Sequence, residues 1–220
     1  MKKFIVLALA MVLVLGLAGM AFAGVSGSAH DLASGSYTTS EAGGTSQVCV
    51  FCHHPHRGTN GTGDGNVSDA LLWNLGDFET AAYSTYQDSG SLNNATSDIN
   101  STAPQSYLCM ACHDGTIGQD ALVKVPSDSN TNIDAAGITV NASIGSTMVD
   151  DHPVNMEYPQ TDTGLALPAA NDIVAGKYNL FSNVMQCGTC HDAHDNGGFS
   201  PFLRGDMTGS QMCLDCHTDK

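Results

Sequence analysis

The chain has 220 residues, with 7 basic and 22 acidic side chains and a net charge of −15 at pH 7. A chain this acidic is repelled by nucleic acids and anionic membranes, so we predict that it binds no nucleic acid. Hydrophobic residues make up 42% of the sequence, but many of them lie in its first 23 residues. The remainder has too little apolar side chain for a large core, so we expect something else to fill the interior.

Residues 1–23 have the pattern of a secretory signal peptide. Lys2 and Lys3 precede a long apolar run, which ends at the small-residue sequence AFA and Ala23. We predict cleavage after Ala23, with an uncleaved membrane anchor as the alternative. The mature chain, residues 24–220, then carries 5 basic and 22 acidic side chains, a net charge of about −17. We expect it to be secreted to the extracellular space or cell surface, or alternatively to stay in the periplasm.

Eight cysteines follow the predicted cleavage site, and every one belongs to a C-x-x-C pair that is followed directly by histidine. The pairs are Cys49/Cys52 before His53, Cys109/Cys112 before His113, Cys187/Cys190 before His191, and Cys213/Cys216 before His217. C-x-x-C-H is the attachment signature of c-type haem. The spacing puts both thiols on one side of a turn, where each can join a vinyl group of one porphyrin. The histidine can then bind the iron as its proximal ligand. We therefore predict four covalently bound haem c groups.

Paired cysteines have three other common uses besides haem attachment. A secreted chain with eight cysteines can be a disulfide scaffold, C-x-x-C pairs can bind zinc, and one pair can be a redox dithiol. None of these needs a histidine directly after the second cysteine, and all four pairs have one.

Five histidines remain after the four proximal ligands, which is enough for a distal ligand on every iron. We predict that the distal ligands are His30, His56, His152 and His194, with His54 spare or an alternative to His56. Two imidazoles close the coordination of an iron and give a low reduction potential, whereas a methionine ligand would raise it. The methionines available for that alternative are Met110, Met148, Met156, Met185, Met207 and Met212.

Two of these histidines stand three residues after a proximal histidine, in the pattern C-x-x-C-H-x-x-H. They are His56 after His53 and His194 after His191. A side chain three residues along a turn cannot reach the opposite face of the same haem. We expect it to bind the iron of a neighbouring haem, so that the pattern holds two haems close together.

The stretches between the motifs predict the fold class. The intervals between successive first cysteines are 60, 78 and 26 residues, and the first two are rich in Gly, Ser, Thr, Asn and Asp. We predict an irregular, haem-organised fold that is mostly loop, with short helices at the C-x-x-C-H sites and few short strands, for example at 138–144. We expect a single tetrahaem domain over 24–220, in which the short last interval makes the third and fourth haems a close pair.

The order of motifs also resembles a known family. The segments CVFCHHPH, LLWN, CMACHDGT, DDHPVNMEY, CGTCHDAH, FLR and SQMCLDCH together resemble the doubled-CxxCH multihaem cytochromes c, and the likeness spans nearly all of the mature chain. With four haems and a signal peptide, the chain is similar to the OmcE-like tetrahaem cytochromes that polymerise into extracellular nanowires. The resemblance implies a continuous chain of bis-histidine haems in which one iron takes its distal histidine from the adjacent subunit. By that resemblance the donor is His56. This sequence departs from the minimal family pattern because it also has His54.

The resemblance predicts an electron-transfer protein rather than an enzyme. Its partners would be further copies of itself in a head-to-tail polymer, other multihaem cytochromes as electron donors, and extracellular acceptors such as metal oxides. The alternatives are a soluble periplasmic tetrahaem shuttle and, less favoured, a multihaem reductase. A reductase needs a haem with an open distal position, which the supply of histidines disfavours.

Overall fold

A computed structural model describes residues 24–33, 47–54, 73–74, 83–86, 104–114, 144–145, 147–149, 151–159, 161, 164–166, 172–174, 176–195 and 198–219. The predicted signal peptide, His56 and residues 138–143 of the predicted strand lie outside these described residues. Within them, no helix combines the length and the apolar character needed to cross a membrane.

The described residues include three short α-helices, and each contains or ends at a C-x-x-C-H motif. They are α1 (Pro104–His113), α2 (Cys187–Cys190) and α3 (Gln211–Cys216), and the first motif instead begins in a 3-10 turn, Val48–Phe51. Proline at the start of α1 is favourable because the first helical N–H has no partner inside the helix. Each helix ends at its motif, so the histidine lies at or just after the last helical residue.

The strands are two residues long and form three separate pairs. They are β1 (Ser84–Thr85), β2 (Thr147–Met148), β3 (Met156–Glu157), β4 (Asp172–Ile173), β5 (Tyr178–Asn179) and β6 (Val184–Met185). β1 and β2 pair in parallel, whereas β3 with β6 and β4 with β5 pair antiparallel. The predicted fold class, mostly loop with short helices at the motifs and few short strands, is confirmed in the described part of the chain.

Two small apolar clusters stand behind the motifs. The first consists of Tyr83, Tyr107, Met110 and Met148, so it backs the second motif. The second consists of Met156, Tyr158, Ile173, Tyr178, Leu180, Met185 and Met212, with Cys190 and Cys216 packed against it. The second cysteines of the third and fourth motifs therefore share one core, which brings the two closely spaced motifs together.

Candidate haem-binding site

Each motif is held in one tight turn by its own backbone. The histidine N–H donates to the carbonyl of the first cysteine in three motifs, from His53 to Cys49 at 2.8 Å, from His191 to Cys187 at 3.0 Å, and from His217 to Cys213 at 2.8 Å. In the second motif the same residues form the last turn of α1. One helical turn places residues three apart on the same side. This is the arrangement that two thioether links to one porphyrin require.

A short extended segment lies across the back of three of the motifs. The backbone N–H groups of Asn74, Arg204 and Ala166 donate to the carbonyl of the second cysteine, at 2.9, 2.9 and 2.8 Å respectively. The residue before each donor forms a β-bridge with the proximal histidine, in the pairs His53–Trp73, His191–Leu203 and His217–Leu165. In the remaining motif the N–H of Ile144 donates to the carbonyl of His113 at 2.7 Å. The proximal histidines are thus positioned by backbone contacts from distant parts of the chain.

Two of these segments, LLWN and FLR, were singled out from the sequence, and the structure gives their polar residues contacts at the motifs. The side-chain amide of Asn74 also donates to the carbonyl of Val50, inside the first motif. Arg204 Nε donates to the Gly188 carbonyl at 2.8 Å, inside the third motif. The corresponding segment of the fourth motif, around Ala166, was missed because it carries no polar side chain of this kind.

Replacing Ala166 with proline tests whether this backbone contact stabilises the fourth motif. Proline has no N–H, so the bond to the Cys216 carbonyl is lost. Cys216 is half-buried, and loss of a hydrogen bond of this kind costs about 0.5–1.5 kcal/mol. For a chain of this size we expect the melting temperature to fall by several degrees in a calorimetric scan. Ala166→Ser keeps the N–H and is the matched control, and equal melting of the two variants would contradict the prediction.

The structure brings three proximal histidines against three of the predicted distal ones. The ring centroids are 6.1 Å apart for His53 and His194, 6.2 Å for His113 and His30, and 6.4 Å for His217 and His152. Imidazole–metal bonds of about 2 Å on both sides of one iron, with about 1.1 Å from ring nitrogen to ring centre, give about 6.3 Å between centroids. All three separations therefore suit two imidazoles on opposite faces of one haem iron.

Backbone carbonyls orient several of these imidazoles. Nδ1 lies 3.1 Å from the Ala193 carbonyl in His30, 3.2 Å from the Pro153 carbonyl in His152, and 3.2 Å from the Pro201 carbonyl in His191. A carbonyl can only accept, so the ring proton belongs on Nδ1 and the lone pair of Nε2 is available for a metal. Burial lowers the pKa of His30, which keeps that ring in the neutral form that an iron needs.

His191 differs from the other proximal histidines. Among the described residues no other histidine ring packs against it. Six of the nine histidines belong to the three pairs above, and His191 is the remaining proximal histidine. The two histidines that are left are His54 and His56. His54 is described and half-buried, and His56 lies outside the described residues. Which of these two histidines is the distal ligand of the third motif therefore stays a prediction.

A buried carboxylate supports His194. The Asp192 carboxylate accepts the backbone N–H of His194 at 3.0 Å, and its other oxygen lies 3.7 Å from the guanidinium of Arg204. Asp192 and Arg204 thus fix the turn that carries His194 towards His53. No role was predicted for Asp192 from the sequence. Its position between the two histidines of C-x-x-C-H-x-x-H is the feature that could have indicated one.

The second and third motifs are joined directly, which the 78-residue interval between them did not predict. The Ser106 N–H donates to Gln186 Oε1 at 2.9 Å, the Cys187 N–H donates to Ser106 Oγ at 3.0 Å, and the Gly188 N–H donates to Gln105 Oε1 at 2.9 Å. Side chains at the start of α1 therefore accept hydrogen bonds from the backbone of α2, and the Gln186 side chain accepts one from the backbone of α1. The two haem sites lie next to one another.

All eight cysteines lie in the described residues, and all are free of disulfides. Burial raises the pKa of Cys52 and Cys190 to about 11 and that of Cys112 to about 12. In the chain without a bound group, burial therefore favours the protonated form of these three thiols. A hydrogen bond between the second and third motifs raises the pKa of Cys109 and lowers that of Cys187 to about 7. A thioether has no thiol proton, so attachment to haem would abolish the titration of these cysteines.

Most of the methionines are occupied in packing. Met110, Met148, Met156, Met185 and Met212 are buried in the two apolar clusters, and Met207 is exposed. Within the described part of the chain, no group of three or more His, Cys, Asp or Glu side chains could hold a bare metal ion. The three histidine pairs have a spacing that suits a haem iron, and their role as ligands stays a prediction.

Comparison with known proteins agrees with this geometry. Residues 182–220, which include the third and fourth motifs, match the family model of the doubled CXXCH motif. No curated protein matches the chain. The C-x-x-C-H motifs, together with this match over the last part of the chain, indicate a multihaem c-type cytochrome with covalently bound haem c and a role in electron transfer.

Proposed function

We propose that the mature chain binds four haem c groups, each with two histidine ligands, and polymerises head to tail into a secreted, electron-conducting filament. The filament would receive electrons from other multihaem cytochromes and pass them to extracellular acceptors such as metal oxides. The proposal combines the four C-x-x-C-H motifs, the predicted signal peptide and the resemblance to filament-forming tetrahaem cytochromes.

The observation that carries the proposal is the pairing of histidines. Three proximal histidines have a second histidine ring 6.1–6.4 Å away, at the separation suited to a shared iron. His191 has none among the described residues, while His54 and His56 stand outside the pairs. A distal histidine supplied by His56 of a neighbouring copy would complete the fourth iron. It would also make the contact between subunits part of the electron path.

The residues of the chain define what a bound haem can do. A bound haem supplies an iron that alternates between two oxidation states. Cys thioethers would attach the porphyrin to the backbone, the proximal and distal imidazoles would bind the iron, and the carbonyls at Nδ1 would fix the ring orientation. Two imidazoles leave no open position for a substrate, so the proposed role is electron transfer without catalysis. Neighbouring motifs that share hydrogen bonds or one apolar cluster keep successive haems close enough for electrons to pass between them.

Replacing His56 with alanine tests the polymer directly. We expect filaments in negative-stain images of sheared cell-surface material from the wild type and none from His56→Ala. Intact-mass measurement should still show four haems on the variant, because its cysteines are unchanged. His54→Ala is the matched control and should form normal filaments.

Three results would count against the proposal. Normal filaments in His56→Ala would place the junction ligand elsewhere, and only dispersed monomers in the wild type would favour a periplasmic shuttle. High-spin iron in the native assembly would favour a reductase with an open haem. That spectrum must come from the assembled form, since an isolated subunit would itself lack one distal ligand.

A further inference from the structure

The fourth motif contains a charged residue between its two cysteines. Asp215 precedes Cys216, whereas the corresponding pairs in the other motifs are Val-Phe, Met-Ala and Gly-Thr. Its side chain is only 12% exposed. A carboxylate held this close to a haem attachment site favours the oxidised iron, because reduction adds an electron beside an existing negative charge.

Three donors converge on this carboxylate. Lys177 Nζ and the Tyr178 hydroxyl donate to Asp215 Oδ2 at 2.6 and 2.7 Å, and Gln211 Nε2 donates to Oδ1 at 2.8 Å. Lys177 also lies 5.1 Å from the centre of the Tyr178 ring. The ion pair is therefore held in one geometry by several contacts, which distinguishes it from a mobile surface pair.

The donors are anchored by the core behind the third and fourth motifs. The Tyr178 side chain is 1% exposed and belongs to the same apolar cluster as Met212, which lies on α3 with Asp215. Gly205 leaves room for the hydroxyl, because a Cβ at that position would collide with it. The cluster thus fixes the Tyr178 hydroxyl, which donates to the same Asp215 oxygen as Lys177, relative to the fourth motif.

We propose that Lys177, together with Tyr178, sets the reduction potential of the fourth haem by neutralising the Asp215 carboxylate. They are positioning residues, since they act through Asp215 and not on the iron itself. The inference rests on a haem at the fourth motif, part of the proposed function, and is independent of polymerisation. It assigns the tuning of one particular haem to an ion pair whose carboxylate lies between the two cysteines, where the other three motifs have no charged residue.

Single-haem redox titration followed by NMR of the haem methyl groups tests this inference in the full-length holoprotein. Lys177→Met should lower the midpoint potential of the haem at Cys213–His217, and Asp215→Asn should raise it. We expect about a tenfold change in the oxidised-to-reduced ratio at fixed potential, equivalent to about 59 mV for one electron. The midpoint potential of this haem in the double variant should lie near that of the wild type, because removing both charges leaves the net charge of the pair unchanged.

Other measurements separate the possible failures. Intact mass showing no haem at the fourth motif would overturn the proposed function, whereas four haems with unchanged potentials in Lys177→Met would overturn this inference alone. Lys124→Met removes the same charge elsewhere in the sequence, and an equal shift there would show a general charge effect and overturn it too. If Lys177→Met does not fold, Asp215→Asn provides the test instead. An unchanged midpoint potential of the fourth haem in Asp215→Asn would then overturn the inference.

Discussion

Serine at both Cys213 and Cys216 is expected to leave the chain with one haem fewer than the wild type, three in place of four. Serine forms no thioether, and the remaining imidazoles of His217 and His152 bind haem only reversibly. The same double change in each of the other motifs should also remove one haem. Four independent losses, each of one haem, would establish the count that the eight cysteines predict.

The change at the fourth motif should also destabilise the fold. Cys216 packs against the apolar cluster that contains Ile173 and Tyr178, so an empty haem site opens a cavity beside the core. Loss of a large buried aromatic group costs about 3–5 kcal/mol, which lowers the melting temperature of a chain of this size by about 10 °C. Intact mass and calorimetry together measure both effects.

Single replacements provide the control for this experiment. Cys213→Ser alone leaves Cys216 able to form one thioether, so the haem count by mass should stay at the wild-type value. A double variant that retains the wild-type number of haems would contradict the assignment of the fourth motif. A double variant that loses two would show that the third and fourth sites load together.

The haem motifs and the fold class were predictable from sequence because both depend on local features. A C-x-x-C-H motif needs five consecutive residues, and one helical turn is enough to arrange them. The loops between motifs lack apolar periodicity, so neither long helices nor large sheets were expected. The three helices accordingly coincide with motifs, and the strands are only two residues long.

The histidine pairs were less predictable because they join distant residues. His194 carried a local signal, its position three residues after His191, which indicated a neighbouring haem but not which one. His30 and His152 were selected only because four irons need four distal ligands. The partners of all three, at His53, His113 and His217, follow from tertiary contacts that no local spacing encodes.

The contacts around the motifs show the same limit. LLWN and FLR stood out in the sequence, but their shared role, an N–H donated to the second cysteine carbonyl, depends on backbone register. The ion pair of Lys177 with Asp215 spans 38 residues and the Tyr178 bond spans 37. Long-range register of this kind accompanies the apolar cluster, whose members come singly from the short strands, from the residues beside them and from α3.

Replacement of His152 with alanine is expected to convert one haem from low-spin to high-spin. The His152 ring lies 6.4 Å from that of His217, at the separation suited to one iron between them, and it is exposed, so its loss should leave the fold intact. The vacated position should bind carbon monoxide, and added imidazole should restore the low-spin spectrum. Absorption and EPR spectra of the assembled holoprotein, compared with those of the assembled wild type, measure the change.

A combined variant assigns the iron. In the background that lacks both Cys213 and Cys216, the haem beside His217 is absent, so His152→Ala should add no further high-spin signal. His30→Ala, whose ring instead lies 6.2 Å from that of His113, should still create one there. Effects that fail to add identify residues acting on one site, whereas additive effects identify separate sites. A full high-spin signal from His152→Ala in that background would show that His152 serves a different iron, and the pairing of His152 with His217 would be wrong.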